Sequence, residues 1–286
     1  MKKFLTLLMI CLLILMTGCG GSQSGDDSKK DSDAGKLKLG MITRLNASEE
    51  NFGVFMKKIE DTLDVKISSH VPVFFDNLNS MQMALQSKQI DEISTYRSVA
   101  RYMIAKDPRY QVLKDHSLEF VDSFCFALRD DETDLQDSLN TVIKEMQNDG
   151  TLDRLTKEYI TDINTEGEPP AIEMPVFEKA QTIKVGVTGD LPPLDYVNAE
   201  GTPEGFNTAV LAEIGNRMLK NIELVQIESG ARAAALTSGQ VDVVFWAIVP
   251  VSEIIPEDSD KPNGIILSDP YFKDKIVHLI FKEDNK

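Results

Sequence analysis

The sequence predicts an α/β protein of two lobes, and three observations predict it. Strand-like and helix-like hydrophobic patterns alternate from Leu37 onward, which points to lobes with largely parallel sheets. The alternation breaks off in a Pro- and Glu-rich stretch, Thr161 to Thr182, and starts afresh beyond it. The two parts also repeat each other. Ala84-Leu85-Gln86-Ser87-Lys88-Gln89-Ile90-Asp91 matches Ala235-Leu236-Thr237-Ser238-Gly239-Gln240-Val241-Asp242 at five of eight positions, each at a helix end leading into a strand. Leu37-Lys38-Leu39-Gly40 likewise echoes Ile183-Lys184-Val185-Gly186, and the offsets of 151 and 146 residues agree within a loop's length.

Each element follows from its pattern. Leu37 to Ile42 reads as a strand, and Phe52, Phe55, Met56, Ile59 and Leu63 recur at helical spacing. Val65 to Ile67 and Val71 to Phe75 are strand candidates, followed by a helix with Met81, Ala84 and Leu85 inward. Val99, Ala100, Met103 and Ile104 mark the next helix. Leu135, Leu139, Val142, Ile143 and Met146 mark a long one that Gly150 stops, as glycine commonly does just past a helix C-terminus. After the connector come a strand from Ile183 to Val187, a helix from Phe206 to Met218 and a strand from Ile222 to Ile227. A helix from Ala231 to Leu236 and a strand from Val241 to Trp246 complete the series.

Before the folded part lies an export signal. Lys2 and Lys3 precede an apolar run, Phe4 to Met16, which is short for a membrane span and suited to a signal-peptide core. It ends in Met16-Thr17-Gly18-Cys19, which resembles a bacterial lipobox; the alternative is an ordinary secretory signal with an incidental cysteine. Residues 1–18 are thus expected to be removed and Cys19 to take a diacylglyceryl group and fatty-acyl chains such as palmitate, several chains anchoring better than one. Gly20 to Lys36 is polar apart from Ala34 and reads as a disordered tether, so 19–36 holds a folded body off the membrane.

Composition bounds the function. The 286 residues contain 42% hydrophobic and 27% charged side chains, enough for full-sized cores in an ordinary soluble protein. A formal charge of −16 argues against nucleic acid, whose binding requires cationic patches. Once Cys11 is discarded and Cys19 lipidated, Cys125 stands alone in the run Phe124-Cys125-Phe126-Ala127-Leu128, where a buried thiol is expected rather than a nucleophile. His70, His116 and His278 show no metal-ligand spacing, so no metal site and no cofactor are expected.

With these motifs in view, the chain resembles the bacterial extracellular solute-binding proteins of the amino-acid-type family, whose fold is the two-lobed type II periplasmic binding protein, or Venus flytrap. The second part resembles the family's opening half through Ile183-Lys184-Val185-Gly186-Val187, Leu191-Pro192-Pro193-Leu194-Asp195-Tyr196, Gly205-Phe206-Asn207, Gly239-Gln240-Val241-Asp242 and Ser268-Asp269-Pro270-Tyr271. The first part resembles the closing half through Ile90-Asp91, Phe126-Ala127-Leu128-Arg129-Asp130-Asp131 and Asp149-Gly150-Thr151-Leu152-Asp153 with Tyr159. The order is reversed, which implies a circular permutation with the old termini joined through 161–182; two degenerate copies of one domain are the alternative. On the permuted reading, 37–127 corresponds to the family's second lobe and 128–160 to the hinge exit and C-terminal helices. Residues 161–182 form the connector, and 183–286 the first lobe. A single connection between lobes would remain, near Phe124 to Leu128.

In such folds ligands sit at the C-terminal ends of the strands. That directs attention to Thr188 and Asp190 after one first strand, and to Thr43, Arg44, Asn46 and Ser48 after the other, although Ser48 also suits a helix cap. Trp246 and Ala247 close one strand at the expected cleft edge, Trp246 either stacking on a ligand or filling the core. Tyr96 and Arg97 occupy the matching place in the other lobe, and Tyr196 lies in the family motif. Arg232 suits either an anionic ligand group or a structural pair. The carboxylate-gripping arginine usual in the family is missing from Val249-Pro250-Val251-Ser252-Glu253-Ile254, and Tyr96 stands where the ammonium-binding aspartate is usual. The resemblance implies a monomeric, membrane-anchored receptor for a small polar solute, an amino acid or related metabolite, that serves an ABC transporter permease. A dehydratase-like enzyme using Asp190 and Asp195, and a sensory module for a membrane partner, are the alternatives.

Overall fold

The computed structural model describes residues 35–42, 53, 57, 60–61, 70–113, 120–162, 172–198, 200–244 and 262–282, and the backbone alone of 245–250. Residues Leu37–Lys286 cluster as one unit and Met1–Lys36 as another. No helix among the described residues is long and apolar enough to cross a membrane. The readings on residues 1–34, on Val65 to Ile67 and on most of the helix around Phe52 to Leu63 fall outside the described residues.

The first half opens with β1 (Leu37–Ile42), β2 (His70–Phe75), α1 (Leu78–Gln86), β3 (Glu92–Tyr96), α2 (Arg97–Lys106) and β4 (Tyr110–Val112). Next come β5 (Val121–Arg129), α3 (Thr133–Asn148) and α4 (Thr151–Thr156), which runs on into a π-helical turn, Lys157–Thr161. The second half contains β6 (Thr182–Val187), β7 (Asp190–Leu191), β8 (Asp195–Val197), β9 (Pro203–Glu204), α5 (Phe206–Met218) and β10 (Asn221–Gln226). A 3-10 turn, Ser229–Ala231, leads into α6 (Arg232–Thr237), then β11 (Val243–Pro250), β12 (Ile265–Leu267) and β13 (Phe272–Phe281).

The helices form where hydrophobic spacing and local capping agree. On α3 the buried residues are Leu139, Val142, Ile143 and Met146, one face at i, i+3, i+4 and i+7, and Gly150 follows in the left-handed region at φ 78°. Helix α1 begins because Asn77 accepts a hydrogen bond from the Ser80 N–H at 2.8 Å. Helix α5 is buried on most sides along its first part, where every residue from Phe206 to Gly215 except Glu213 is buried.

The two halves share one plan. The strand order is β2-β1-β3-β13-β4 in one and β10-β6-β11-β5-β12 in the other. In each, the first three strands of that order are parallel, and the last two pairings are antiparallel. The sheets are therefore mixed rather than largely parallel, because each half completes its sheet with a strand that arrives from the other. Strands β5 and β13 also pair with each other, Phe124 opposite Phe272, so ten of the described strands join in one hydrogen-bonded sheet, while β7, β8 and β9 form a separate small antiparallel sheet. Two strands thus pass between the halves instead of the one expected near Phe124 to Leu128. Phe124 packs on Tyr96 at 4.7 Å between ring centroids and on Phe272 at 5.2 Å, and Phe206 packs on Phe272 at 4.8 Å, so the joint is aromatic. Cys125 is buried in this joint, as expected.

The sequence repeat is a structural repeat. Asp91 N–H donates to the Lys38 carbonyl and its Oδ2 accepts from Lys38 N–H; Asp242 does both with Lys184. Helices α1 and α6 end in the same way, with Lys88 at φ 60° where the other half has Gly239 at φ 73°. A left-handed lysine costs about 1 kcal/mol that glycine does not. Lys88→Gly is therefore expected to raise stability by up to about 1 kcal/mol. Gly239→Ala, whose new Cβ meets nothing within 4 Å, should lower stability by a similar amount for conformational reasons alone. Urea midpoints at constant slope measure both.

Candidate functional site

The loops that follow β2, β6 and β10 meet. Strand β2 runs into Asp76, Asn77 and the start of α1, while β10 runs into Ser229 and Gly230. The Gly230 N–H donates to Asp76 Oδ1 at 3.1 Å and the Ser229 N–H to the Asp76 carbonyl at 3.4 Å. The β6–β7 loop adds Asp190, whose Oδ2 accepts from the Leu78 N–H at 2.5 Å, at the first turn of α1. A helix N-terminus presents unsatisfied N–H groups and a partial positive charge, so a carboxylate from the opposite half fits there. A third contact sets Tyr196 of β8 against Tyr102 of α2, ring centroids 6.5 Å apart.

Burial dominates the electrostatics. It pushes the Asp190 carboxyl up to about 6, against the hydrogen bond from Leu78, which lowers it, and with the charge of Asp195, which raises it. Burial and then the Glu204 carboxylate raise the phenols of Tyr102 and Tyr196. Glu204 is itself buried and accepts from Asn198 Nδ2 at 2.8 Å. Asp195 is 2% exposed and takes the Thr188 hydroxyl at 3.2 Å and the Gly189 N–H, which fixes the loop that carries Asp190.

The second helix of the first half is met in the same way. Asp274 of β13 accepts from the Ser98 N–H at 2.9 Å near the start of α2, and burial raises its carboxyl. Its register partner on β5 is Asp122, buried, which accepts from the Tyr96 hydroxyl at 3.3 Å. The N-termini of α1 and α2 thus each receive an aspartate from elsewhere in the chain.

Several residues singled out in the sequence come together here. Asp190 and Tyr196 each touch the other half, and Thr188 bonds to Asp195 within the loop that carries Asp190. Tyr96 is buried, with its hydroxyl on Asp122, and Arg97 is exposed as the first residue of α2. Arg232 is among the largest fully buried side chains and donates from Nε to the Ser229 carbonyl at 3.1 Å. Thr43, Arg44, Asn46 and Ser48 lie outside the described residues. Trp246 and Ala247 are placed by backbone only: they lie inside β11, which runs on to Pro250 instead of ending at Trp246, and its register with β5 shifts between Val244 and Ala247. Asp76, Asn77, Tyr102 and Glu204 were not singled out, although Asp76 and Asn77 stand after β2 where Glu228 and Ser229 stand after β10.

Residues 183–285 match the family model described as bacterial extracellular solute-binding proteins, family 3. The probable ABC transporter arginine-binding protein ArtJ of Chlamydia trachomatis is 27% identical over 104 residues, 36% of this chain and 37% of that protein. The match thus spans little more than a third of the curated relative's length. Among solved structures, holo ArgBP from T. maritima aligns at 14% identity and a TM-score of 0.37, over 90% of this chain and 87% of that one. A putative L-cystine ABC transporter from Listeria monocytogenes aligns at 10% and 0.39, over 87% of this chain and 84% of that one. Through residues 183–285, the chain matches the bacterial extracellular solute-binding proteins, family 3.

Proposed function

We propose that this protein is a solute-binding protein of the ABC import type that closes its two halves on a small polar solute and delivers it to a membrane permease. The observation that carries the reading is the meeting of equivalent loops from two like-built halves, in a chain whose residues 183–285 match the solute-binding family. Closure is then a hinge motion about β5 and β13, favoured by contacts that both halves make to the solute. Amino acids are the first solute class to test, since a curated relative is named as a probable arginine-binding protein.

The test is a thermal-shift panel of amino acids, other polar metabolites and related anions on the full chain. Each positive compound is then recovered and weighed by mass spectrometry. A ligand at about 100 times its Kd adds roughly 2.7 kcal/mol, a shift of several degrees for a protein of this size. A shift with the compound unchanged supports the receptor. The Asp190 carboxyl near pH 6 is the one observation that favours an enzyme, because such a group is suited to acid–base chemistry. Conversion of the compound would replace the receptor with that reading. No shift across the panel would remove the support for a polar solute.

Two further parts belong to the same proposal. The chain order is a circular permutation: β13 ends beside β3 and β4, in the sheet where β1 begins, which supports a cut in the first half and a joint through 161–182. A gene reordered to 183–286 followed by 37–160 should give a chain with the same cooperative unfolding; failure to fold would favour two degenerate copies. The export signal makes the mature protein a lipoprotein on Cys19. Cys19→Ala is expected to move the protein from the membrane pellet to the soluble fraction with its melting temperature unchanged. Retention in the pellet would defeat the lipid anchor.

A further inference from the structure

We propose that His70, Glu92 and His278 form a binding site for a divalent transition metal ion of zinc's type, at the end of the first-half sheet away from the meeting loops. His70 is the first residue of β2 and Glu92 the first of β3, so both lie at the N-terminal ends of parallel strands, whereas Asp76 and Tyr96 lie at the C-terminal ends. The site is separate from the one described above.

The three side chains already converge. Glu92 Oε2 lies 2.9 Å from His278 Nδ1 and 3.4 Å from His70 Nε2, and the two rings stand nearly perpendicular with centroids 5.8 Å apart. The three ligand atoms all lie within 4.8 Å of one another. Zinc bound at about 2.0–2.2 Å in a tetrahedral site holds its donors about 3.4 Å apart, so small side-chain rotations would seat an ion. Two imidazoles and a carboxylate suit zinc and its neighbours in the first transition series, and three protein ligands leave a position for water. The histidine side chains are 23% and 18% exposed, which gives an ion a way in from solvent.

The repeat between the halves points the same way, independently of these distances. Leu37 pairs with His70 where Ile183 pairs with Ile222, and Leu39 pairs with Glu92 where Val185 pairs with Val243. Leu279 pairs with Ile93 where Ala127 pairs with Val244, which sets His278 against Phe126. The other half thus places isoleucine, valine and phenylalanine at the three positions, so the plan of the sheet does not call for polar groups there. A buried carboxylate is unfavourable without charged or hydrogen-bonding partners. This half nonetheless buries Glu92 and brings both histidines onto it. Sequence spacing gave no hint of this, because β2 and β13 bring the two histidines together from opposite ends of the folded part.

The test adds zinc chloride to the full-length chain in detergent, followed by calorimetry and by competition with a chromophoric chelator. Saturation at one ion per chain is expected, with a rise in melting temperature. Glu92→Gln and His278→Phe should each weaken uptake at least about tenfold, by analogy with the 10–100-fold losses seen when groups around a metal are removed. The triple variant His70→Ile, Glu92→Val, His278→Phe copies the other half and should keep a cooperative transition while losing saturable uptake. Cobalt(II) in place of zinc should give visible d–d absorption in the unmodified chain and not in the triple variant. The proposal is overturned by absence of saturable uptake, by uptake unchanged in Glu92→Gln and the triple variant, or by loss of uptake only where cooperative unfolding is also lost. None of these readouts depends on the solute, so failure here leaves the receptor reading untouched.

Discussion

Gly205→Ala is expected to lower stability by about 3–5 kcal/mol, the sum of a forbidden backbone conformation and a steric clash. Gly205 precedes α5 at φ 103° and ψ 175°, a region open in practice to glycine alone. A Cβ there would lie 2.7 Å from the Leu194 carbonyl oxygen and 2.8 Å from that of Pro193. Those carbonyls cannot simply move aside. They accept from the Phe206 and Asn207 N–H groups at 3.0 and 2.8 Å, satisfying the first free donors of α5. Leu194 and Phe206 are both fully buried, so displacing either would also open the core. Because Leu194 leads directly into Asp195 and Tyr196, the substitution should also disturb the loop that positions Asp190. Calorimetry should show a melting temperature lower by about 10 °C. A loss below about 1 kcal/mol would show that the turn has room to relax.

How much of this was legible in the sequence depended on whether the governing contacts were local. Helix α5 reads from Phe206 to Met218 in sequence and structure alike, because its apolar residues lie together in the chain and Gly205 marks its start. The repeat was legible because Asp91 and Asp242 each make the same two backbone bonds, which hold the aspartate in both copies. Strands β5 and β13 were not. The apolar run around Phe124 carries no sign of which sheet it joins, and its partner Phe272 is remote in sequence. Strands β7 to β9 are two or three residues long, too short for an alternating pattern to register. In the candidate site, Thr188 and Asp190 were singled out because they follow a first strand. Asp76 and Asn77 follow a second strand, and comparing them with Glu228 and Ser229 across the repeat would have found them. Arg232 was left between two roles, and burial was the missing information: its side chain is 2% exposed.

Replacing Asp190 by asparagine (Asp190→Asn) is expected to stabilise the protein at pH 7.5 by about 2–3 kcal/mol, and to have no effect on stability near pH 4. The sign follows from burial. The Asp190 carboxyl titrates at about 6 in the folded chain and at about 4 when unfolded, so folding favours its protonated form. Its contribution to stability is full below pH 4, declines as the pH rises towards 6, and is lost above that. Asparagine has no charge to bury and keeps an oxygen for the Leu78 N–H. Asp149 opposes this trend only at lower pH, since its carboxyl is pulled down to about 2, first by its hydrogen bonds to Thr151 and Arg217. Asp274 is raised like Asp190, so the comparison must be with the unmodified chain at each pH. Urea midpoints of the two chains should coincide near pH 4 and diverge up to pH 7. Parallel curves would mean that the buried carboxyl does not titrate in this range. The same linkage reaches the hinge, because parting the halves would break the Leu78 bond and hydrate the carboxylate. Opening should therefore release a proton, and raising the pH from 5 to 7.5 should increase the radius of gyration of the unmodified chain in X-ray scattering. The Asp190→Asn variant should show no such increase, since it retains the bond between the halves and carries no proton to release.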